Sequence, residues 1–241
     1  MILSARRVRG IFRKDLRELR RNRSLIAGMA IIPVIFSIQP LISVFTLPSS
    51  ASTPLEREHV LLYMLGIPAL VPSLVAAYSV VGERQQSTLE PVLATPIRRE
   101  ELLLGKALAT FLPSIAIAYA VYALFLAAVE LLAVPGVASA IIRPADLVAQ
   151  LCFTPLLAGW SIWLAILIST RSNDVRVAQQ FAALASLPSI ALTTLIALNV
   201  IPASVAVAVI AAVALVMLNG IGWRIASAAF DRERLITGTR S

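Results

Sequence analysis

The sequence predicts an all-α integral membrane protein of six transmembrane helices, with an N-terminal amphipathic surface helix and a short cytoplasmic helix between spans 2 and 3. Three observations carry that reading. The chain is 59% hydrophobic and 14% charged, with a mean hydropathy of +0.86, where a soluble domain holds about a quarter charged residues. Six apolar stretches reach the length of about 20 residues that a helix needs to cross a bilayer core of about 30 Å. Of the 21 Lys and Arg residues, all but Arg57 and Arg143 fall in alternate connections, on one side of the zigzag those spans describe. Basic residues gather on the cytoplasmic side, so the chain is expected to be a multi-pass protein of the cell membrane with both termini in the cytoplasm.

Residues 1–23 form the surface helix. Val8, Phe12, Leu16 and Leu19 recur at spacings of four, four and three with Ile11 beside them, while Arg6, Arg7, Arg9, Arg13, Lys14, Arg17, Arg20 and Arg21 cover the other faces. One apolar stripe on a basic helix lies in a membrane surface rather than across it. A basic segment standing where the apolar core should be also excludes a cleavable signal peptide.

Residues 24–241 form the transmembrane domain, with spans at about 24–47, 59–81, 107–134, 147–169, 177–198 and 203–223. Only "NVIPA" separates the last two, so they form either a very tight hairpin or one broken helix. "VPSL" at 71–74 and "LPSI" at 112–115 and 187–190 are read as helix bends in which Ser supplies a partner for the carbonyl that Pro frees. In span 5 the small residues Ala178, Ala182 and Ser186, with Ala185 and Ser189, are spaced for close helix approach. They are expected to contribute to a contact between two copies of the chain.

Catalytic chemistry finds nothing to stand on. A single cysteine, Cys152, excludes an internal disulfide, and a single histidine, His59 at the outer edge of span 2, leaves no His-based triad or zinc set. No G-x-x-x-x-G-K-[ST] occurs, so the chain has no phosphate loop of that kind for ATP. Within the predicted spans the one acid is Glu130. It stands about 36 Å along the helix from Lys106, at headgroup level, so no ion relay crosses the membrane centre. Gln39, Tyr78, Asn199 and Asn219 are read as hydrogen-bonding glue between helices. The formal charge of +8 does not mark a nucleic-acid binder, because the bases flank spans and face anionic lipid.

The connection 82–106, "GERQQSTLEPVLATPIRREELLLGK", is the polar exception. Thr88 is an N-cap for a first turn of Leu89, Glu90 and Pro91, where the missing proline N–H costs nothing and Glu90 meets the helix dipole. Leu89, Val92 and Leu93 then share one small apolar face. Thr95-Pro96 repeats the device and opens a second helix into span 3. A helix of about two turns is marginal alone and needs something to pack on.

With "GERQQSTLEPVLATPIRREELLLGKALA" the chain resembles the permeases of ABC-2-type transporters, the membrane subunits of one class of ATP-driven exporter. Glu83, Thr88, Leu89, Glu90, Leu93, Pro96, Gly105 and Lys106 fall on the family's pattern, and Ser87 stands where glycine is common. The opening "FRKDLRELRRNRSLIAGMAIIPVIF", with Pro33, is similar to the family's surface helix and first span.

The resemblance implies two permease copies, identical or related, on two ABC ATPase subunits. The short helix would then be a coupling helix seated on the ATPase, with Glu83, Thr88, Leu89, Glu90, Val92, Leu93 and Pro96 as its ATPase-coupling residues. The permease would hold no cofactor itself, ATP and Mg belonging to the partner. No nucleic acid is expected as a partner; membrane lipid is. Apolar spans and short outer loops fit export of a small hydrophobic or amphiphilic molecule or a lipid. An ion-coupled secondary carrier and a non-transporting scaffold are the alternatives.

Overall fold

The computed structural model describes residues 4–46, 59–86 and 97–229. Among them run α1 (Ala5–Arg21), α2 (Arg23–Phe45), a 3-10 segment (Val60–Leu65) continuing into α3 (Gly66–Gln85), α4 (Arg99–Leu132), the short α5 (Pro135–Ile141), α6 (Pro144–Arg171), α7 (Val175–Ala197) and α8 (Val205–Ala229). With the 3-10 segment and α3 taken together, six are long and apolar enough to cross a membrane. The chain is an all-α, multi-pass membrane protein.

Local chemistry sets the breaks. Asn22 separates α1 from α2: its backbone is extended and its side chain accepts from Leu25 N at 3.2 Å, capping α2. Asp174 does the same for α7, accepting from Arg176 N at 2.7 Å and Val177 N at 3.1 Å. Pro144 opens α6 at a position where no amide donor is needed. "NVIPA" resolves as a tight turn between two separate helices. Asn199 takes a left-handed φ of 57°, and the amides of Val200 and Ile201 both return to Leu195 O, at 3.0 and 3.2 Å.

Helix α3 is the centre of the bundle, packed by α2, α4, α6 and α7. Small residues let those helices approach closely: Ala76 and Ala77 on α3, Ala158 and Ala165 on α6, Ala178 and Ala182 on α7 are all buried. This corrects part of the expectation for span 5. Ala178, Ala182 and Ser186 are 0%, 1% and 2% exposed within one chain, so the subunit itself uses those three, while Ala185 and Ser189 stay half-buried.

Asn219 is the glue expected of it. Its amide donates to Leu156 O of α6 at 2.9 Å and its oxygen accepts from Trp163 Nε1 at 3.2 Å. Gly159 makes the room, since a Cβ there would lie 2.3 Å from Asn219 Oδ1. The proline–serine reading needs correction. Ser73 donates to Leu70 O, not to the carbonyl that Pro72 frees, and the buried Ser114 hydroxyl has no hydrogen-bond partner among the described residues.

Candidate functional site

The surface helix is where the structure and the sequence pattern part. Val8, Ile11 and Leu19 are its buried apolar residues, whereas Phe12 and Leu16 are half-buried. The inward face therefore runs Val8, Ile11, Asp15, Glu18/Leu19, at the three- and four-residue steps of a helix. Two acids lie on the side turned to the bundle, and α1 packs on α4 as well as facing outward. Gly105 permits that approach: a Cβ there would stand 2.6 Å from Ile11 Cγ2 and 3.3 Å from Val8 O.

Those acids meet charges from the two helices that bracket residues 87–96. Lys106 of α4 is 1% exposed at its side chain and donates to Glu83 Oε2 of α3 at 2.5 Å, Ser79 O at 2.9 Å and Asp15 Oδ2 at 3.4 Å. Lys14 of α1 pairs with the other oxygen of Glu83. A buried lysine is costly unless its charge is answered and its donors are used; here two carboxylates and a carbonyl answer it. A cavity of about 30 Å³ adjoins the group, lined by Asp15, Glu18, Tyr78, Ser79, Glu83 and Lys106 among others. That is room for one or two waters, beside Asp15 Oδ1 and Glu18 Oε1, which have no hydrogen-bond partner among the described residues.

Burial pushes the Asp15 carboxyl above its ordinary range; Lys106 opposes the rise and the Glu83 charge adds to it. Burial also raises Glu18, and Glu83 again adds to the effect. Asp15, Glu18 and Glu83 bring oxygens within 4.8 Å of one another, the spacing of a divalent-cation site. Lys106 and Lys14 already supply the countercharge there, so the arrangement is an ion-pair network closed by ammonium groups.

A second tie holds the start of α4. Glu101 is buried, and it accepts from Ser4 N at 2.8 Å, Arg98 N at 3.1 Å and Arg7 Nη1 at 3.3 Å. The end of α3 is tied to α6 as well. Arg84 donates to Ser172 O at 3.1 Å and Thr170 O at 3.3 Å, and Gln85 to Asn173 O at 3.2 Å. The Ser169 hydroxyl bridges Ala77 O and Val81 N, at 2.6 and 3.1 Å. Both ends of segment 87–96 are thus fixed on one frame made of α1, α3, α4 and α6.

Of the residues expected to couple to an ATPase, Glu83 is placed inside this frame, its carboxylate against Lys106 and Lys14. Thr88, Leu89, Glu90, Val92, Leu93 and Pro96 lie outside the described residues. Asp15, Glu18 and Glu101 were not singled out by the sequence reading, Lys14 was noted only as one base of the surface helix, and Lys106 only as part of a motif. The available signal was acids at 15 and 18 on the apolar side of an otherwise basic helix.

At the opposite end of the bundle stands a second polar group. His59 Nδ1 lies 2.7 Å from Asp146 Oδ1 and 3.2 Å from Arg143, which also reaches Asp146 Oδ2 at 3.0 Å. The His59 amide donates to Ala197 O at 2.9 Å. Asp146 is buried in the first turn of α6, one residue before the predicted span, so Glu130 is not the single acid of the spanning helices.

A family model described as ABC-2 family transporter protein matches residues 9–234. No curated protein gives a match.

Proposed function

The chain belongs to the ABC-2 family of transporter proteins, and on that premise we propose that it is the permease of an ATP-driven exporter whose energy comes from a separate ATPase subunit docked on segment 87–96. The observation that carries this is the frame around that segment. Its two ends are held by the Glu83–Lys106–Asp15 network and by Glu101 on Ser4 and Arg7. A push on residues 87–96 would reach α3 and α4 directly and α1 through its ion pairs, because close-packed helices move as bodies and do not deform smoothly.

In this reading the end bearing α1 is cytoplasmic, as the distribution of Lys and Arg supports, and two permease copies face two ATPases in the cell membrane of a prokaryote. The basic outer faces of α1 suit anionic lipid headgroups. The cargo is a small hydrophobic or amphiphilic molecule or a lipid. Glu83 takes part through the frame, and Leu89, Val92 and Leu93 make the apolar contact with the ATPase.

The test is reconstitution of the permease with the ATPase that copurifies with it. Export into proteoliposomes that requires ATP, and is lost when the ATPase carries a disabled phosphate loop, is the expected result. Flux driven by a proton or sodium gradient without ATP would replace this proposal with a secondary carrier.

A further inference from the structure

Helices α4 and α6 together hold more buried polar atoms without partners than helix packing requires. Gln150 is 1% exposed, and among the described residues neither its amide oxygen nor its nitrogen has a hydrogen-bond partner; the same holds for Thr154 Oγ1, Ser114 Oγ and the Tyr122 hydroxyl, all on buried residues. They are not scattered. Asp146, Gln150 and Thr154 follow one another at steps of four along α6, and Ser114, Ala118 and Tyr122 do so along α4.

Tyr119 of α4 donates to Leu151 O of α6 at 2.8 Å, which fixes the level of the two antiparallel helices. At 1.5 Å per residue, Tyr122 then stands level with about residue 148 and Ser114 with about residue 156. The two rows therefore lie at overlapping levels of neighbouring helices, and the outer end of the α6 row is closed by Asp146, Arg143 and His59.

A polar group without a partner in a dry interior is costly, and in a bilayer no solvent outside the bundle can relieve it. Replacing such a group by an apolar one of like shape is neutral or stabilising. A row of them therefore disfavours a shut seam between α4 and α6, and it favours any state in which the seam opens and the groups find partners.

We infer that the α4–α6 seam, lined by Ser114, Tyr122, Gln150 and Thr154, opens from the outer end to take water and the uncharged, hydroxyl- or amide-bearing part of the transported molecule. The lining offers donors and acceptors from hydroxyls and one amide, and its one carboxylate is already paired with Arg143. Neutral hydrogen-bonding groups fit it better than a bare charge. The inference rests on the transporter reading above, but access to the seam is measured separately from transport.

The experiment uses the full permease–ATPase complex in proteoliposomes on a Cys152→Ser background, since Cys152 is exposed. Single cysteines are placed by Gln150→Cys and Thr154→Cys, with Leu151→Cys and Ala158→Cys as exposed-apolar and buried-apolar controls. The probe is 2-(trimethylammonio)ethyl methanethiosulfonate, with and without ATP. The expected result is modification at 150 and 154 at least tenfold faster than at 151 and 158 in one nucleotide state, slowed severalfold by octyl β-glucoside but not by octanol. Equal rates at all four positions in both states, or fast labelling that octyl β-glucoside leaves unchanged, would overturn the inference.

Gln150→Leu adds a readout that does not need the cysteines: melting temperature unchanged or raised, with glucoside sensitivity of ATP hydrolysis lost. A fall in melting temperature would show that Gln150 is a structural contact and would also overturn it. Failure of the complex to assemble or to hydrolyse ATP would count against the transporter reading, and is seen before any labelling.

Discussion

Lys106 has no polar escape from its position, so its partners can be weighed against one another. Lys106→Met leaves Glu83 and Asp15 with buried charge and should destabilise the permease by about 3–5 kcal/mol. Adding Glu83→Gln removes most of the stranded charge and should recover a large part of that loss. Denaturation of the two single variants and the double variant in detergent measures the coupling directly; additive losses would mean that the pair does not interact. Glu18 behaves differently, because burial raises its carboxyl pKa and no lysine bonds it. A carboxyl raised on folding gives up stability as pH climbs from its ordinary value of 4.5 through the folded one, and the loss then stays. Glu18→Gln should therefore stabilise at neutral pH by about 0.5 kcal/mol or less, Glu18 being half-exposed and screened by solvent. The gain should vanish below about pH 4, and melting curves across pH 3–8 check both limits. At this scale the sequence was only partly legible. Glu83, Gly105 and Lys106 stood out by their pattern, but nothing local says that residues 83 and 106 meet, or that α1 presents two acids to them. Pairing across helices is a product of packing.

Helix α1 shows how far periodicity goes. An amphipathic basic helix followed from the spacing of Val8, Phe12, Leu16 and Leu19, and a helix is there. Its buried face is rotated toward Ile11 and Asp15, because the docking partner is α4 with a gap at Gly105 rather than a uniform lipid surface. Gly105→Leu should therefore push α1 off the bundle: the contact includes a backbone oxygen of Val8, which cannot swing aside as a side chain does. Limited trypsin digestion would report this as faster cleavage at the α1 arginines than in the unaltered chain, with the spans still protected; an unchanged rate would mean that α1 is held elsewhere. The spanning helices were legible from apolar length alone, and the tight α7–α8 turn was one of the two forms the "NVIPA" linker allows. What length could not give was which face each helix buries. Apolar residues line every side of a membrane helix, so the stripe at Ala178 and Ala182 looked available to a second copy until its packing inside the chain was known.

The whole molecule joins a central, almost fully buried α3 to two polar groups, one at each end: Glu83 with Lys106 at the α1 end, and His59 with Asp146 at the other. The class, the number of spans and the family were written in composition and in the motif of residues 82–106. The internal seam was not, because Gln150, Thr154 and Ser114 are ordinary helix residues until their neighbours are known. The proposed transport role turns on segment 87–96, between the ties at Glu83 and Glu101. Leu89→Asp and Leu93→Asp place a charge in the apolar face read as the ATPase contact, at a cost of several kcal/mol where no countercharge is available. Pull-down of the ATPase from solubilised membranes with each variant is the direct measurement. A contact with the ATPase predicts normal insertion and expression with ATPase recovery reduced at least tenfold in both; full recovery of the ATPase with both variants would contradict it.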